Sequence, residues 1–269
     1  MRFALALLLF VASATAAPLD DLARKAAGGS AEAKAQILRQ AEGGDAQAEH
    51  VMGMMHISGK GAEQSDARAL EWFLRAARKG HADSQHNAAV IYERTEGSLK
   101  DPAEARRWYR AAADQGLARS QAKLGAVILD GVGGPANLED GKEWIGKAAA
   151  QGNPYGRYRL GMLYLEGRGY ERNVDTAAKM IRQAAEAGDR EARYRLALLH
   201  GTGAGVEKSD QKALEWLRKS AAQGWAEAEF LLATIYSTGQ YGVARDDKQA
   251  VRYQRRACAA FCSVPSVLS

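Results

Sequence analysis

Six glycines, Gly44, Gly80, Gly116, Gly152, Gly188 and Gly224, stand 36 residues apart. A period of that length means a stack of supersecondary units, each too small to bury its apolar face alone. Five full repeats run 44–79, 80–115, 116–151, 152–187 and 188–223. A sixth, 224–262, fits if one residue is inserted near Gln240–Tyr241.

Aligned at this period, the columns divide into tasks. Ser65, Asp101, Asn137, Asn173, Ser209 and Asp246 share one column. All six are residue types whose side-chain oxygen caps a helix N-terminus. Each is expected to open a helix of about 14 residues, here called helix B, and Pro102 sits where a first helical turn tolerates proline. Four residues past the cap comes a small residue (Ala69, Ala105, Gly141, Ala177, Ala213, Ala250), and three further on a large one (Trp72, Trp108, Trp144, Met180, Trp216, Tyr253). That spacing puts both columns on one face, with the large residue as the expected anchor. The preceding helix A has Met52, Ala88, Leu124, Leu160, Leu196 and Leu232 in its core column. Gly53, Ala89, Gly125, Gly161, Ala197 and Ala233 follow, where two helices can pass closely.

Composition agrees with helices. Only 5 prolines and 5 phenylalanines occur, and the 46% hydrophobic fraction is heavily alanine, the best helix former. Residues 17–43 read as a shortened N-terminal helical cap, with stretches Asp20–Ala27 and Ala31–Glu42 around Gly28-Gly29. Residues 1–16 read as a cleaved signal peptide: Arg2, an apolar run from Phe3 to Ala12, then Ala14-Thr15-Ala16. A soluble, exported protein is therefore expected, periplasmic or secreted, with no membrane span. The net charge of +5 points weakly to an acidic partner or surface, and nucleic acid is a poor match for an exported chain. Cys258 and Cys262, four apart on the last helix B, are within disulfide reach and are expected to bond. Residues 263–269 are left as a tail.

The phrase Tyr158-Arg159-Leu160-Gly161-Met162-Leu163-Tyr164, then Gly167-x-Gly169, then Ala184-Ala185-Glu186-Ala187-Gly188, resembles the Sel-one-like repeat of the tetratricopeptide-related helical proteins. So does Ala213-Leu214-Glu215-Trp216 through Gly224, and the likeness covers residues 44 to about 262. It departs at Thr95, where the loop lacks its first glycine, at Met180 in the aromatic column, and at Phe261 in place of a closing glycine. The resemblance implies an all-α fold, a right-handed α/α superhelix of six two-helix repeats. It also implies a non-catalytic scaffold or regulatory adaptor without cofactor, which binds a protein or peptide in its concave groove.

Catalytic and metal readings are weaker. Ser209-Asp-Gln-Lys212 matches the Ser-x-x-Lys of penicillin-recognising enzymes, but capping explains all six residues of that column and catalysis only one. His50 and His86 share a column, as do His56 and His200, with Tyr92, Tyr164 and Tyr236 in the latter, so an aromatic role is simpler than a zinc site. The alternatives kept are a binder of cell-wall polymer and a hydrolase such as a weak β-lactamase.

The candidate binding residues sit two positions before the helix-A leucine. That column reads His50, His86, Ala122, Tyr158, Tyr194, Phe230, and it is flanked by the triplets Arg157-Tyr158-Arg159 and Arg193-Tyr194-Arg195, with Lys123 extending one flank. Read as an exposed edge, with A helices lining the concave surface as the resemblance implies, these residues form an aromatic ladder with a basic fringe, suited to an extended acidic or aromatic-containing segment. Asp189 and Glu191 stand four residues before Arg193 and Arg195, whereas Arg157 and Arg159 have no such local acid.

Overall fold

The computed structural model describes residues 18–262 apart from residue 96, and at 260–262 the backbone only. The expected leader, 1–16, and tail, 263–269, lie outside the described residues. Among those described there are fourteen α-helices, one short 3-10 turn at Gly97–Leu99, and no strand. The chain divides into two compact units, 1–88 and 89–269, each taken by itself below.

The first unit holds α1 (Leu19–Ala27), α2 (Ala31–Glu42), α3 (Ala46–Ser58) and α4 (Asp66–Arg78). Helix α5 (Ala82–Arg94) contains the division. The second unit continues with α6 (Pro102–Asp114), α7 (Ala118–Leu129), α8 (Leu138–Ala150), α9 (Pro154–Glu166), α10 (Val174–Glu186), α11 (Arg190–Thr202), α12 (Asp210–Ala221), α13 (Ala226–Thr238) and α14 (Asp247–Cys262). From α3 onward the odd-numbered helices are A and the even-numbered are B. Consecutive helices pack on each other from α1 to α4 in the first unit and from α6 to α14 in the second, where α7 also touches α9, and α9 touches α11. In the second unit the A helices α7, α9 and α11 thus form a row. This is the α/α solenoid that the period implies.

The capping column performs as read. The side chains of Ser65, Asp101, Asn137, Asn173, Ser209 and Asp246 accept from backbone N–H groups in the first turns of α4, α6, α8, α10, α12 and α14. Their own N–H groups return to the last turn of helix A, from Ser65 to the His56 carbonyl and from Ser209 to the His200 carbonyl, with the same bond in the other four repeats. The His56 and His200 side chains are buried, each with Nδ1 on a loop carbonyl, Glu63 and Glu207. All six periodic glycines have φ between +73° and +100°, a region that side chains rarely adopt. The extra residue of repeat six falls at Tyr241, whose φ of 58° is the one positive value among described non-glycine residues.

One expectation needs correction. In helix B the deepest large residues are not the tryptophan column but the next one: Phe73, Tyr109, Ile145, Ile181 and Leu217 are essentially inaccessible to solvent. Trp108 and Trp144 are buried, though less deeply, while Trp72, Met180, Trp216 and Tyr253 are only half-buried. The buried stripe runs Ala69, Phe73, Ala76, Ala77, a spacing of four, seven and eight, with Trp72 at its margin. There a cation three residues on covers the ring: Arg75 over Trp72 at 4.3 Å, Lys147 over Trp144 at 4.3 Å, Lys219 over Trp216 at 4.2 Å and Arg256 over Tyr253 at 5.8 Å.

The small helix-A column also performs as read. A Cβ on Gly125 would stand 2.7 Å from Ile145 Cγ1 and 2.9 Å from the Gly141 carbonyl oxygen. Gly146, in α8, faces open space. Gly125→Ala is therefore expected to cost about 1–3 kcal/mol through overpacking. Gly146→Ala should gain about 0.5–1 kcal/mol from the helix preference alone. Thermal melts of the two variants should move in opposite directions.

Candidate partner-binding site

The triplet Arg157-Tyr158-Arg159 does not form one patch, because adjacent residues on a helix diverge by about 100°. Tyr158 is 9% exposed and packs with Ala178, Ile181, Leu196 and Leu199. Burial, with the Glu191 charge nearby, holds its phenol above the ordinary value. The column read as an exposed edge is instead a contact between stacked repeats, as Ala122, fully buried, also shows. Tyr194 is half-buried against the cluster of Leu214, Leu217 and Leu232. Phe230, on α13, is 59% exposed. His86, on α5, is half-buried.

The cations separate in the same way. Arg193 Nε donates to the Ala185 carbonyl at 3.1 Å, back towards the preceding helix B. Arg157 occupies the equivalent place on α9. On the other flank, Arg159 reaches both carboxylate oxygens of Asp130, at 3.1 and 3.2 Å, and the Tyr155 hydroxyl at 3.3 Å. Arg159 was singled out for lacking a local acid, but its partner comes from the previous repeat, 29 residues away. Lys123 reaches Glu93 at 3.1 and 3.2 Å and lies over the Tyr155 ring. Arg195 faces the Tyr158 hydroxyl, and its buried Nε has no hydrogen-bond partner.

What the fold does assemble is the row Lys123, Arg159, Arg195 on α7, α9 and α11, interleaved with Glu93, Asp130, Tyr155 and Glu191. Burial and the neighbouring Asp189 hold the Glu191 carboxyl above its ordinary value, while Arg159, Arg190 and Lys123 pull it down. Burial pushes the Tyr155 phenol up to about 12. A cleft of about 230 Å³ opens beside the row, lined by Asp130, Tyr158, Arg159, Met162 and Glu166 among others. Tyr155, Asp130 and Glu93 were missed in the sequence, which named only Glu191, as the local acid of Arg195. The 36-residue recurrence of cations at 123, 159 and 195 finds the row, though not Asp130 and Glu93, which come from the preceding repeats.

Among described residues no cluster of three or more His, Cys, Asp or Glu is placed to hold a metal, and no helix is long and apolar enough to cross a membrane. Ser209 Oγ accepts from the Lys212 backbone at 3.2 Å, and Lys212 Nζ lies 3.3 Å from Glu207. Cys258 is exposed on α14, and the side chain of Cys262 lies outside the described residues.

Paired helices repeated at a constant period, with the A helices in a row, define a helical-repeat scaffold. The chain belongs to the Sel1 repeat family, whose sequence model matches residues 46–81, 82–117, 118–153, 154–189, 190–225 and 226–260. Repeats of this family mediate protein–protein interaction, and its members are typically non-catalytic. The chain is similar to a solved Sel1 repeat protein from Oxalobacter formigenes, with 28% identity over 88% of this chain and 96% of that one and a TM-score of 0.75. It is also similar to a protective antigen of uropathogenic Escherichia coli with an SLR fold, with 30% identity over 90% of this chain and 64% of that one and a TM-score of 0.58. An immunity protein from Pseudomonas aeruginosa shares the fold at 23% identity, covering 80% of this chain and 81% of that one, with a TM-score of 0.57. Comparison with curated proteins finds no match.

Proposed function

We propose that the protein is an exported, non-catalytic adaptor that holds an acidic protein or peptide segment along its A-helix row. The observation that carries this reading is the row itself: Lys123, Arg159 and Arg195 on successive A helices, leading towards half-buried Tyr194 and exposed Phe230. Asp130 and Glu93 occupy two of these cations, but such partly exposed pairs contribute little and exchange readily for a partner's carboxylates. The net charge of +5 favours the same class of partner. Export rests on Arg2, the apolar run and Ala14-Thr15-Ala16. The role of Ser209 as a cap, repeated in five other repeats, supports the non-catalytic reading.

The test is capture from a periplasmic extract, followed by affinity measurement on what is retained. Tyr158 is left intact because it belongs to the core. Tyr194→Ala combined with Phe230→Ala should weaken binding by about 2 kcal/mol or more, near thirtyfold, as desolvated aromatics at interfaces do. Binding should also weaken as salt rises past 0.1 M, where screening acts over about 10 Å. Lys179→Ala with Glu186→Ala, exposed on α10, is the control. Equal binding by the folded aromatic variant and wild type would reject the row as the site. Sedimentation with cell-wall sacculi in place of a protein would move the assignment to the polymer.

A further inference from the structure

A second feature lies away from that row. Where α8, α9 and α10 meet, a cleft of about 340 Å³ is walled by Gly146, Ala149, Leu160 and Met180, with Arg157 and Gln183 at its edge. Its origin is legible in the columns. In four repeats an aromatic ring and a cation three residues on cover this part of helix B. Repeat four has Met180 and Gln183 instead, so both ring and cation are missing. Gly146, with open space where its Cβ would be, removes a further wall.

Arg157 is the other half of the observation. Its column is Glu49, Gln85, Gln121, Arg157, Arg193, Glu229. Glu49 and Glu229 are ion-paired, while Gln85, Gln121 and Arg193 donate to the carbonyls of Ala77, Ala113 and Ala185. Arg157 alone in this column has a side chain that makes no hydrogen bond or ion pair with any described residue. A half-buried guanidinium without an acceptor, beside an aliphatic cleft, is complementary to one chemistry: a carboxylate attached to a few apolar carbons. The guanidinium fork takes both carboxylate oxygens, and the walls take the hydrocarbon, gaining free energy with each carbon removed from water.

We propose that this cleft binds an aliphatic carboxylate, supplied either as a free small acid or as the C-terminal residue of a polypeptide. The site is independent of the A-helix row, so either assignment can fail without the other.

The test follows the methyl resonance of Met180 in the full chain during titration with hexanoate and with N-acetyl-alanyl-leucine, each against its primary amide. The acids are expected to shift the resonance and to bind about tenfold or more tightly than the amides, the scale of one charge-assisted pair. Arg157→Gln should remove that preference. Gly146→Leu, which fills the cleft from a position with no neighbours, should abolish binding of both probes as read from ligand saturation transfer. Helical content and melting temperature serve as fold controls, with Met180→Trp as a second filling variant should Gly146→Leu melt early. Binding of hexanoate alone assigns a free acid, and binding of the peptide assigns a chain terminus. Acids that bind no better than amides, or an Arg157→Gln protein that titrates like wild type, would overturn the proposal.

Discussion

Phe73→Ala should destabilise the first unit by about 3–5 kcal/mol, the usual cost of truncating a fully buried aromatic ring. The Phe73 ring fills the space left open by Gly53, where a Cβ would stand 2.5 Å from Cε1, and it lies 5.5 Å from the His50 ring. Gly53, directly beneath the ring, has no side chain to fill the vacated volume. Trp72→Ala, although it deletes more atoms, should cost only about 1–2 kcal/mol, because the ring is half-buried and its outer face is held by Arg75. Urea unfolding of the two variants, followed by circular dichroism, gives the comparison. A larger loss for Trp72 would restore the tryptophan column as the anchor of helix B.

That pair also shows what could and could not be seen in the sequence. The caps, the turn glycines and the close crossings of A on B were legible because one residue type, or one size, recurs at a constant interval. The tryptophans recur too, and so attract attention. Phe73, Tyr109, Ile145, Ile181 and Leu217 differ in type and are visible only through helical geometry: they complete the stripe that the small residues begin. Tyr158 was misread for a related reason. Periodicity places a residue on a helix face, but whether that face meets solvent or the next repeat depends on how A helices stack. The Arg159–Asp130 and Lys123–Glu93 pairs join residues 29 and 30 positions apart, beyond any search confined to one helix.

The second large effect concerns the carboxylate of Glu49, which is fully buried yet ion-paired at 3.0 Å to Arg75 Nε and at 2.8 Å to Lys79 Nζ. Arg75 also donates to the Ala41 carbonyl, and Lys79 to that of Gly44. Together they clasp the end of α2 to the first full repeat. Replacing both cations, Arg75→Met with Lys79→Met, leaves a buried charge uncompensated and should cost about 3–5 kcal/mol. Adding Glu49→Gln removes that charge and should recover much of the loss. This sign pattern distinguishes an electrostatic penalty from lost packing. A double variant as stable as wild type would mean that water reaches the carboxylate. Glu229, on α13, is paired to Arg256 at 2.6 Å, and Arg256 donates to the Ala221 carbonyl at 2.8 Å, so the same clasp recurs in the last repeat.

Each loop from helix A to helix B is closed by one backbone bond and one capping side chain, and neither depends on the residues that face outwards. Holding the chain together and meeting other molecules are therefore assigned to different positions within every repeat. Substitutions at the outward positions of one repeat leave the bonds that close it, and those of its neighbours, untouched. The cleft beside Arg157 follows this division: it depends on the residues at positions 146, 180 and 183, while the caps and turns of its repeat keep the common pattern. An architecture of this kind can accumulate new recognition surfaces one repeat at a time, with its stability drawn from a separate set of residues.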